Sequence, residues 1–348
     1  MLPTSPIRPL ICRSLLFHTI VTIAIIFFPA IATADTLSET RNRGNVRCGV
    51  NPNLVGFSRS NSLGVFSGFD IDFCRAVSSA IFGSPDEVDF IALPTADRFT
   101  ALINNRIDIL SRNTTWTMER NVTIGEYVGV TFYDGQGFMV YENTEIQSAL
   151  ELDNQSICVT RATTTELNVA DFFADSELRY RPVFFNDAAD AAKAYAEGEC
   201  SAITTDRSAL AAQRAGFAKP EAHLILPEVI SKEPLGPVVR NDDVRWENII
   251  RWSRACLINA EELGVTRNNI DSYNKESTPA IRRLLGISKN AGEELGLDTN
   301  WCATIIATLG NYGEVYNRHI GLETPAGLDR GINEIWTNGG LIYAAPIR

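Results

Sequence analysis

Short apolar runs alternate with amphipathic segments over the first third of the chain. Residues 46–50, 88–93 and 107–110 are apolar, β-prone runs typical of buried strands. After the first run, apolar residues recur at helical spacing as far as Gly83, which is placed to end a helix. Residues 97–104 favour a second helix. This alternation predicts a parallel sheet covered by helices.

The same rhythm restarts in the middle of the chain, after an extended, glycine-containing stretch at residues 129–143. A threonine run before Glu166 has the pattern of a capping box, and Asp206 is placed to cap a later helix. The predicted strands are residues 156–159, 180–185, 202–204 and 223–226, and the predicted helices are residues 164–173, 188–196 and 207–215.

A second extended stretch, residues 233–240, is punctuated by proline and glycine and leads into a long predicted helix at residues 243–263. The segment from residue 281 onward is expected to be helical with many glycines. Two extended stretches predict two crossings between lobes. We therefore expect a discontinuous first lobe, residues 35–139 plus 238–348, and an inserted second lobe, residues 140–237.

The N-terminus has the pattern of a secretory signal peptide. Arg8 and Arg13 come first, an apolar run follows over residues 15–28, and Ala32 and Ala34 form a small-residue cleavage site. An N-terminal membrane anchor is the alternative, but the cleavage site favours export. We expect cleavage after Ala34.

The charge balance limits the choice of partners. The chain has 31 basic and 42 acidic residues, a formal net charge of −11. Nucleic-acid binding normally shows a basic footprint, so we expect no nucleic-acid partner.

Cysteine usage agrees with export. Six of the seven cysteines lie outside the predicted signal, and an even number in an exported chain indicates disulfides. Six cysteines allow 15 connectivities, of which pairing between sequence neighbours is the most economical. A metal site is the alternative, but there is no C-x-x-C spacing and histidine is scarce, so we expect neither metal nor cofactor. The six are Cys48, Cys74, Cys158, Cys200, Cys256 and Cys302.

Residues 107–120 carry the first chemical signal. The apolar run is followed by small or polar residues at 111–115, a helix-start signal at Thr117, and Arg120 three residues later. Open α/β sheets place ligands at such strand-to-helix edges, where an arginine and backbone N–H groups converge on an anion. An ordinary loop with a solvated arginine is the alternative.

Four stretches in order carry a family resemblance: Gly-Phe-Asp-Ile-Asp at 68–72, residues 107–120, Thr-Thr-Thr-Glu at 163–166, and residues 200–206. With them the chain resembles the periplasmic amino-acid-binding proteins of ABC importers, especially the general L-amino-acid and glutamate/glutamine/aspartate/asparagine binders. That resemblance implies an α/β, type II two-lobe clamshell with a mainly parallel sheet flanked by helices in each lobe.

The resemblance also implies a set of site residues. Arg120 matches the family's carboxylate-binding arginine, whose fork donates two parallel hydrogen bonds. Asn113 and Thr115 match the loop that completes this pocket, and Thr164 matches a donor from the opposite lobe. Asp206 matches the acceptor for the ligand's α-ammonium, with a plain helix cap as its alternative role.

Side-chain selectivity is implied less directly. Arg98 resembles the arginine that acidic-amino-acid binders use to reach a side-chain carboxylate, and Arg112 and Arg161 are further candidates. Each could instead be a surface or lobe-bridging charge. Asn51 and Leu54 stand where binders of dibasic or aromatic ligands carry an acid and an aromatic residue. Together these positions favour Glu, Asp, Gln and Asn as ligands.

The resemblance thus predicts a periplasmic, monomeric protein that is not an enzyme. It would capture free polar L-amino acids reversibly by lobe closure and deliver them to an ABC transporter membrane permease. An exported clamshell enzyme of the dehydratase or cell-wall lyase type is the first alternative, although only two histidines, His223 and His319, remain to act as acid or base. A sensor-like binding protein is the second alternative.

Overall fold

The computed structural model describes Met1 and residues 35–348. The predicted signal peptide and its cleavage site lie outside the described residues. Within the described part of the chain, no helix is long and apolar enough to cross a membrane.

Each predicted apolar run contains a strand, and residues 35–348 also contain short strands at 53–54, 58–60, 66–67 and 126–127 that were not predicted. In chain order, the strands are β1 Val46–Val50, β2 Asn53–Leu54, β3 Ser58–Ser60, β4 Phe66–Ser67, β5 Val88–Ala92, β6 Ile109–Leu110, β7 Glu126–Tyr127, β8 Phe132–Asp134, β9 Gln136–Tyr141, β10 Ser156–Thr160, β11 Arg181–Phe185, β12 Ala202–Asp206, β13 His223–Ile225, β14 Glu233–Leu235 and β15 Val238–Val239.

The α-helices of the same residues also match the predicted ones up to the C-terminal segment, except for the first, which was not predicted. They are α1 Thr36–Arg43, α2 Phe69–Phe82, α3 Arg98–Ile103, α4 Met118–Thr123, α5 Thr164–Asp175, α6 Ala188–Ala196, α7 Arg207–Gly216, α8 Val244–Glu262, α9 Pro279–Leu284, α10 Trp301–Leu309 and α11 Tyr312–His319. After α11 the chain forms only two short 3-10 turns, so the helical expectation for the segment from residue 281 onward is wrong for its last part. Glycines at 321, 327, 331, 339 and 340 oppose a helix there.

Two five-stranded sheets organise the molecule. The first has the order β5-β1-β6-β15-β7 and the second has the order β11-β10-β12-β9-β13. In each sheet one strand runs opposite to the other four, namely β15 in the first and β9 in the second. Each of these two strands comes soon after a crossing between the sheets, so the reversed strand marks where the chain enters a lobe.

The two crossings pair with each other. Strands β8 and β14 form a two-stranded antiparallel ribbon, in which Asp134 lies opposite Glu233. Asn333, near the C-terminus, holds this ribbon because the backbone N–H of Tyr133 donates to its Oδ1 (2.6 Å) and its Nδ2 donates to the Tyr133 carbonyl (2.9 Å). The second sheet already begins at Gln136, and the lobe bounds at residues 139/140 and 237/238 stay a prediction.

The first lobe has an extensive core that includes the C-terminal helices. Helix α2 and the long helix α8 pack with α10 and α11, and the fully buried Trp246 donates its indole N–H to the carbonyl of Asp108 (3.0 Å). The second lobe has smaller apolar clusters on the two faces of its sheet. Both lobes are thus helix-covered sheets of the predicted α/β kind.

The three disulfides join sequence neighbours, as the economical pairing predicted. They are Cys48–Cys74, Cys158–Cys200 and Cys256–Cys302, with Cα–Cα distances of 6.4, 5.6 and 5.7 Å. Each closes a loop inside one lobe, and loops of these lengths give a stabilisation of about 3–4 kcal/mol per bond from lost freedom of the unfolded chain. Motion between the lobes is left unconstrained by them.

Candidate functional site

A cavity of about 70 Å³ lies between the two sheets. Its walls come from the segments that follow the carboxyl ends of β1, β5 and β6 in the first lobe and of β10, β11 and β12 in the second. Ligands of open α/β sheets bind at this edge. Seven of the eight sequence-predicted ligand residues line it: Arg98, Arg112, Asn113, Thr115, Arg120, Thr164 and Asp206.

Arg120 is held by its own helix start. Thr117 caps α4, as predicted, by accepting from the Arg120 backbone N–H (3.2 Å). The guanidinium donates from Nη1 to the Thr115 carbonyl (3.0 Å) and lies 5.2 Å from the ring centre of Phe99. One edge of the fork is therefore anchored inside the lobe while the group lines the cavity.

The Thr115 loop is fixed by aromatic residues. The hydroxyl of Tyr127 donates to the Thr115 carbonyl (2.7 Å), and burial raises the pKa of Tyr127 to about 12. The Trp116 ring stacks on Tyr127 with ring centres 5.7 Å apart. The backbone N–H of Trp116 donates to the carbonyl of Pro234 (2.8 Å). The loop position is thus tied both to the lobe core and to the second crossing.

Asn113 takes an unusual backbone conformation, with φ of +35°, and its N–H donates to Oδ2 of Asp70 (3.1 Å). Asp70 belongs to the Gly-Phe-Asp-Ile-Asp stretch and is buried at the start of α2. Burial raises its pKa to about 7, with the Asn113 N–H and the charge of Arg112 opposing the shift. Asp70 therefore acts behind the site, as a support for the loop.

Arg98 and Arg112 are both buried, yet both are satisfied mainly by uncharged oxygens. Arg98 donates from Nη1 to the carbonyl of Thr95 (2.7 Å), and Arg112 donates from Nε to the carbonyl of Leu93 (2.9 Å) and from Nη2 to the Thr95 hydroxyl (3.1 Å). Burial lowers their pKa values to about 9 and about 10, so both stay charged at neutral pH.

None of Arg98, Arg112 and Arg120 forms an ion pair with an acid of residues 35–348. Carbonyl and hydroxyl oxygens hold these guanidiniums in place without cancelling their charge. The first-lobe wall therefore carries an excess of positive charge, which neighbouring acids oppose at longer range without forming ion pairs. Buried charges require a counter-charge. An anion fits here.

The second-lobe wall is built from helix starts. Thr163 caps α5 by accepting from the Glu166 N–H (3.3 Å), but Glu166 accepts from the N–H of Ala162 (2.8 Å) and so the predicted capping box is incomplete. The hydroxyl of Thr164, at the first helical position, donates to Glu233 (3.1 Å). The α5 N-terminus adds partial positive charge to this wall.

Asp206 does not cap α7 with its side chain, so that prediction is wrong. The cap comes from the ribbon between the lobes, where the carboxylate of Asp134 accepts from the Ser208 N–H (3.2 Å). Asp206 lines the cavity, and its carboxyl group accepts no hydrogen bond from the described residues. Burial, followed by the charges of the neighbouring Asp134 and Glu233, raises the pKa of Asp206 well above its ordinary value. Burial also raises the pKa of Asp134, to about 6.

Three hydrogen bonds join the lobes beside the cavity. The Thr95 N–H donates to Asp187 (3.1 Å), Arg98 donates to the carbonyl of Ala162 (3.4 Å), and the hydroxyls of Thr115 and Thr164 lie 3.4 Å apart. The cleft is thus closed, with residues of both lobes in direct contact.

The eighth predicted residue, Arg161, is not brought to the cavity. Its side chain is exposed and its guanidinium lies 4.6 Å from the ring centre of Phe184, so that candidate role finds no support in the geometry. Sequence reasoning missed Gln213, which lines the cavity two helical turns after Asp206. The spacing of seven residues on one predicted helix was the available signal.

Known proteins are similar to this chain over most of its length. Residues 46–321 match the model of the bacterial extracellular solute-binding proteins, family 3. The general L-amino acid-binding periplasmic protein AapJ of Rhizobium johnstonii is 47% identical over 320 residues, covering 91% of this chain and 94% of that protein. The glutamate/glutamine/aspartate/asparagine-binding protein BztA of Rhodobacter capsulatus is 46% identical over 319 residues, covering 91% and 94%.

Solved structures show the same fold. An ABC transporter/periplasmic binding protein from Brucella ovis with glutathione bound is 47% identical, with a TM-score of 0.89 over 91% of this chain and 100% of that chain. A cysteine-binding protein from Campylobacter jejuni shares the fold at 18% identity, with a TM-score of 0.59 over 71% and 98% of the two chains. The predicted two-lobe clamshell is confirmed, and the chain belongs to family 3 of the bacterial extracellular solute-binding proteins.

Proposed function

We propose that this protein captures free polar L-amino acids, among them Glu, Gln, Asp and Asn, and delivers them to the membrane permease of an ABC importer. One observation carries the proposal. Three guanidiniums without acid partners on the first lobe face a carboxylate without donors, Asp206, on the second. An α-amino acid carries one carboxylate and one ammonium on the same carbon, so it complements both walls at once.

The geometry supports a division of roles within this proposal. Arg120, with Asn113 and Thr115, holds the ligand carboxylate, and Thr164 reaches it from the second lobe. Asp206 accepts from the ammonium. Because the two charges of the ligand are held by different lobes, the ligand stabilises the closed arrangement relative to an open one. Arg98 and Arg112 supply further positive charge towards the ligand side chain.

The names of the relatives support this ligand class. AapJ is named for general L-amino acids and BztA for glutamate, glutamine, aspartate and asparagine. The Brucella ovis relative has glutathione bound, and glutathione contains a free α-amino acid head group on its glutamyl residue. Export by the predicted signal peptide, a periplasmic location and a monomeric state belong to the same proposal, as does the absence of catalysis.

Calorimetric titration of the mature chain with each of the twenty L-amino acids tests the function. We expect one-to-one binding, strongest for the four polar ligands, with no change in the ligand recovered afterwards. Failure of every amino acid to bind would refute the proposal. Chemical conversion of a ligand, detected by NMR of the recovered solution, would favour the exported-enzyme alternative instead.

A further inference from the structure

A second, larger chamber lies beside the ligand cavity. It has a volume of about 340 Å³ and shares five lining residues with the inner cavity: Asn51, Leu54, Arg112, Ala188 and Gln213. Arg120, Thr164 and Asp206 line only the inner cavity. A head group held by these three residues therefore has the shared wall, and the chamber beyond it, on one side.

The outer chamber owes its size to small side chains. Ala188, Ala189, Ala192 and Ala196 of helix α6, and Ala212 of helix α7, all line it. A methyl group at each of these positions leaves space that a larger side chain would fill. The alanine-rich composition of α6 thus leaves space beside the ligand cavity, in addition to favouring the helix.

Gln213 lies where the two spaces meet, and its side-chain oxygen lacks a hydrogen-bond donor among the described residues. Its Oε1 is buried and accepts no hydrogen bond from residues 35–348. A buried carbonyl oxygen without a donor is unfavourable, and native structures contain few of them. Arg112, at the same junction, is a donor only. Asn51 also lines both spaces, but its Oδ1 already accepts from the Asn53 N–H (3.1 Å). The junction therefore offers the free acceptor of Gln213 beside the donor Arg112.

We propose that Gln213 is a specificity-determining residue that accepts a hydrogen bond from a side-chain amide N–H of the ligand, and that the outer chamber takes whatever is attached to that nitrogen. The ligand class is L-amino acids with a side-chain carboxamide, comprising glutamine and also γ-glutamyl amides and peptides. The amide oxygen faces Arg112. This inference rests on the proposed function, because the amide is placed by the head group.

Two substitutions of Gln213 with opposite expected effects test the hydrogen bond. Gln213→Met removes the acceptor at similar volume and weakens L-glutamine binding by about tenfold, while L-alanine changes by less than about twofold. Gln213→Glu keeps an acceptor and adds negative charge, so it keeps glutamine and weakens L-glutamate by about tenfold or more. Gln155→Met, a half-buried glutamine outside both cavities, is the matched control.

The chamber is tested with N5-ethyl-L-glutamine, which keeps one amide N–H and adds a substituent to the nitrogen. Wild-type protein binds it within about tenfold of glutamine. Ala189→Trp fills the chamber and weakens this ligand by about tenfold or more, and leaves glutamine within about twofold, since overpacking affects only the added group. The control is Ala170→Trp, at an exposed alanine of α5 that lines neither space.

Three results would overturn the inference. The first is an equal loss of alanine and glutamine affinity in Gln213→Met, which would mean a structural role. The second is an unchanged glutamine affinity in that variant, and the third is an affinity for N5-ethyl-L-glutamine that Ala189→Trp does not change. Failure of the proposed function itself has a different signature, because wild-type protein would then bind neither alanine nor glutamine.

Discussion

The two walls of the cleft carry different chemical groups. The first-lobe wall carries Arg98, Arg112 and Arg120, which are held mainly by neutral oxygens of the first lobe. The second-lobe wall carries a helix N-terminus at Thr164 and the buried acid Asp206. A small anion would be satisfied by the first wall alone. Only a ligand with both charges gives each wall its complement, and such a ligand holds the walls together.

The largest expected effect comes from breaking the first wall. Arg120→Ala removes the fork and should cost on the order of 3 kcal/mol of binding free energy, more than a hundredfold in Kd, because the ligand carboxylate is left buried without its partner. Calorimetry with L-glutamate measures the loss. Arg106→Ala removes an exposed arginine of the same lobe and is the control. An unchanged Kd for Arg120→Ala would remove this residue from the site.

A smaller effect is expected from the second wall. Asp206→Asn keeps an acceptor but loses the charge, so binding should weaken by about 2 kcal/mol, roughly thirtyfold. Titration with L-glutamine measures the change, and Asp171→Asn on the exposed face of α5 is the control. Asp206 would be only a structural residue if the substitution lowered thermal stability and left the affinity intact.

Because of the buried acids, we expect the free energy of unfolding of the empty protein and its ligand affinity to depend on pH in opposite directions. Burial raises the pKa of Asp134 to about 6, so at a pH between the ordinary and the raised value the folded, empty protein keeps a proton that the unfolded chain has lost. The free energy of unfolding therefore falls as pH rises through that window. Ligand affinity changes in the other direction, because the ammonium favours ionised acids.

Denaturant unfolding of the empty protein from pH 4.5 to 7.5, compared with Asp134→Asn, measures the first of these slopes. Calorimetry in buffers of different ionisation enthalpy measures the protons released on binding. A wild-type slope equal to that of Asp134→Asn would show that this carboxyl does not carry the effect.

The smallest expected effect is that of Arg161→Ala. This arginine lies outside the cavity over Phe184, so its removal should change Kd for L-glutamate by less than about twofold, as for an exposed charge. A loss comparable to that of Arg120→Ala would show that Arg161 reaches the ligand.

Local signals predicted much of the second lobe and of the Arg120 loop. The alanine-rich helix has its predicted bounds, and Thr117 caps α4 because both partners lie within one turn of the chain. One incorrect prediction, the cap of α7, depends on a contact that spans 74 residues, between Asp134 and Ser208. Residue order alone could not show that the cap was supplied elsewhere and that Asp206 was therefore free for the cleft.

The unmet acceptor of Gln213 shows a second limit of the sequence. Spacing on α7 places Gln213 on the same helix face as Asp206. Whether its amide oxygen finds a donor depends on residues of β2, α6 and the loop after β6, which only the packed structure brings together. Polar residues at such junctions are the part of a site that pattern reasoning misses.

Asn333 ties the first crossing to the C-terminal segment, which after α11 forms only short 3-10 turns. Both backbone groups of Tyr133 are held by the side-chain amide of Asn333. A side chain at Gly135, two residues farther on, would collide with Val229 and the Ser231 carbonyl. A change in the angle between the lobes would therefore have to be absorbed after Tyr133, in a stretch that has no room for a side chain at Gly135.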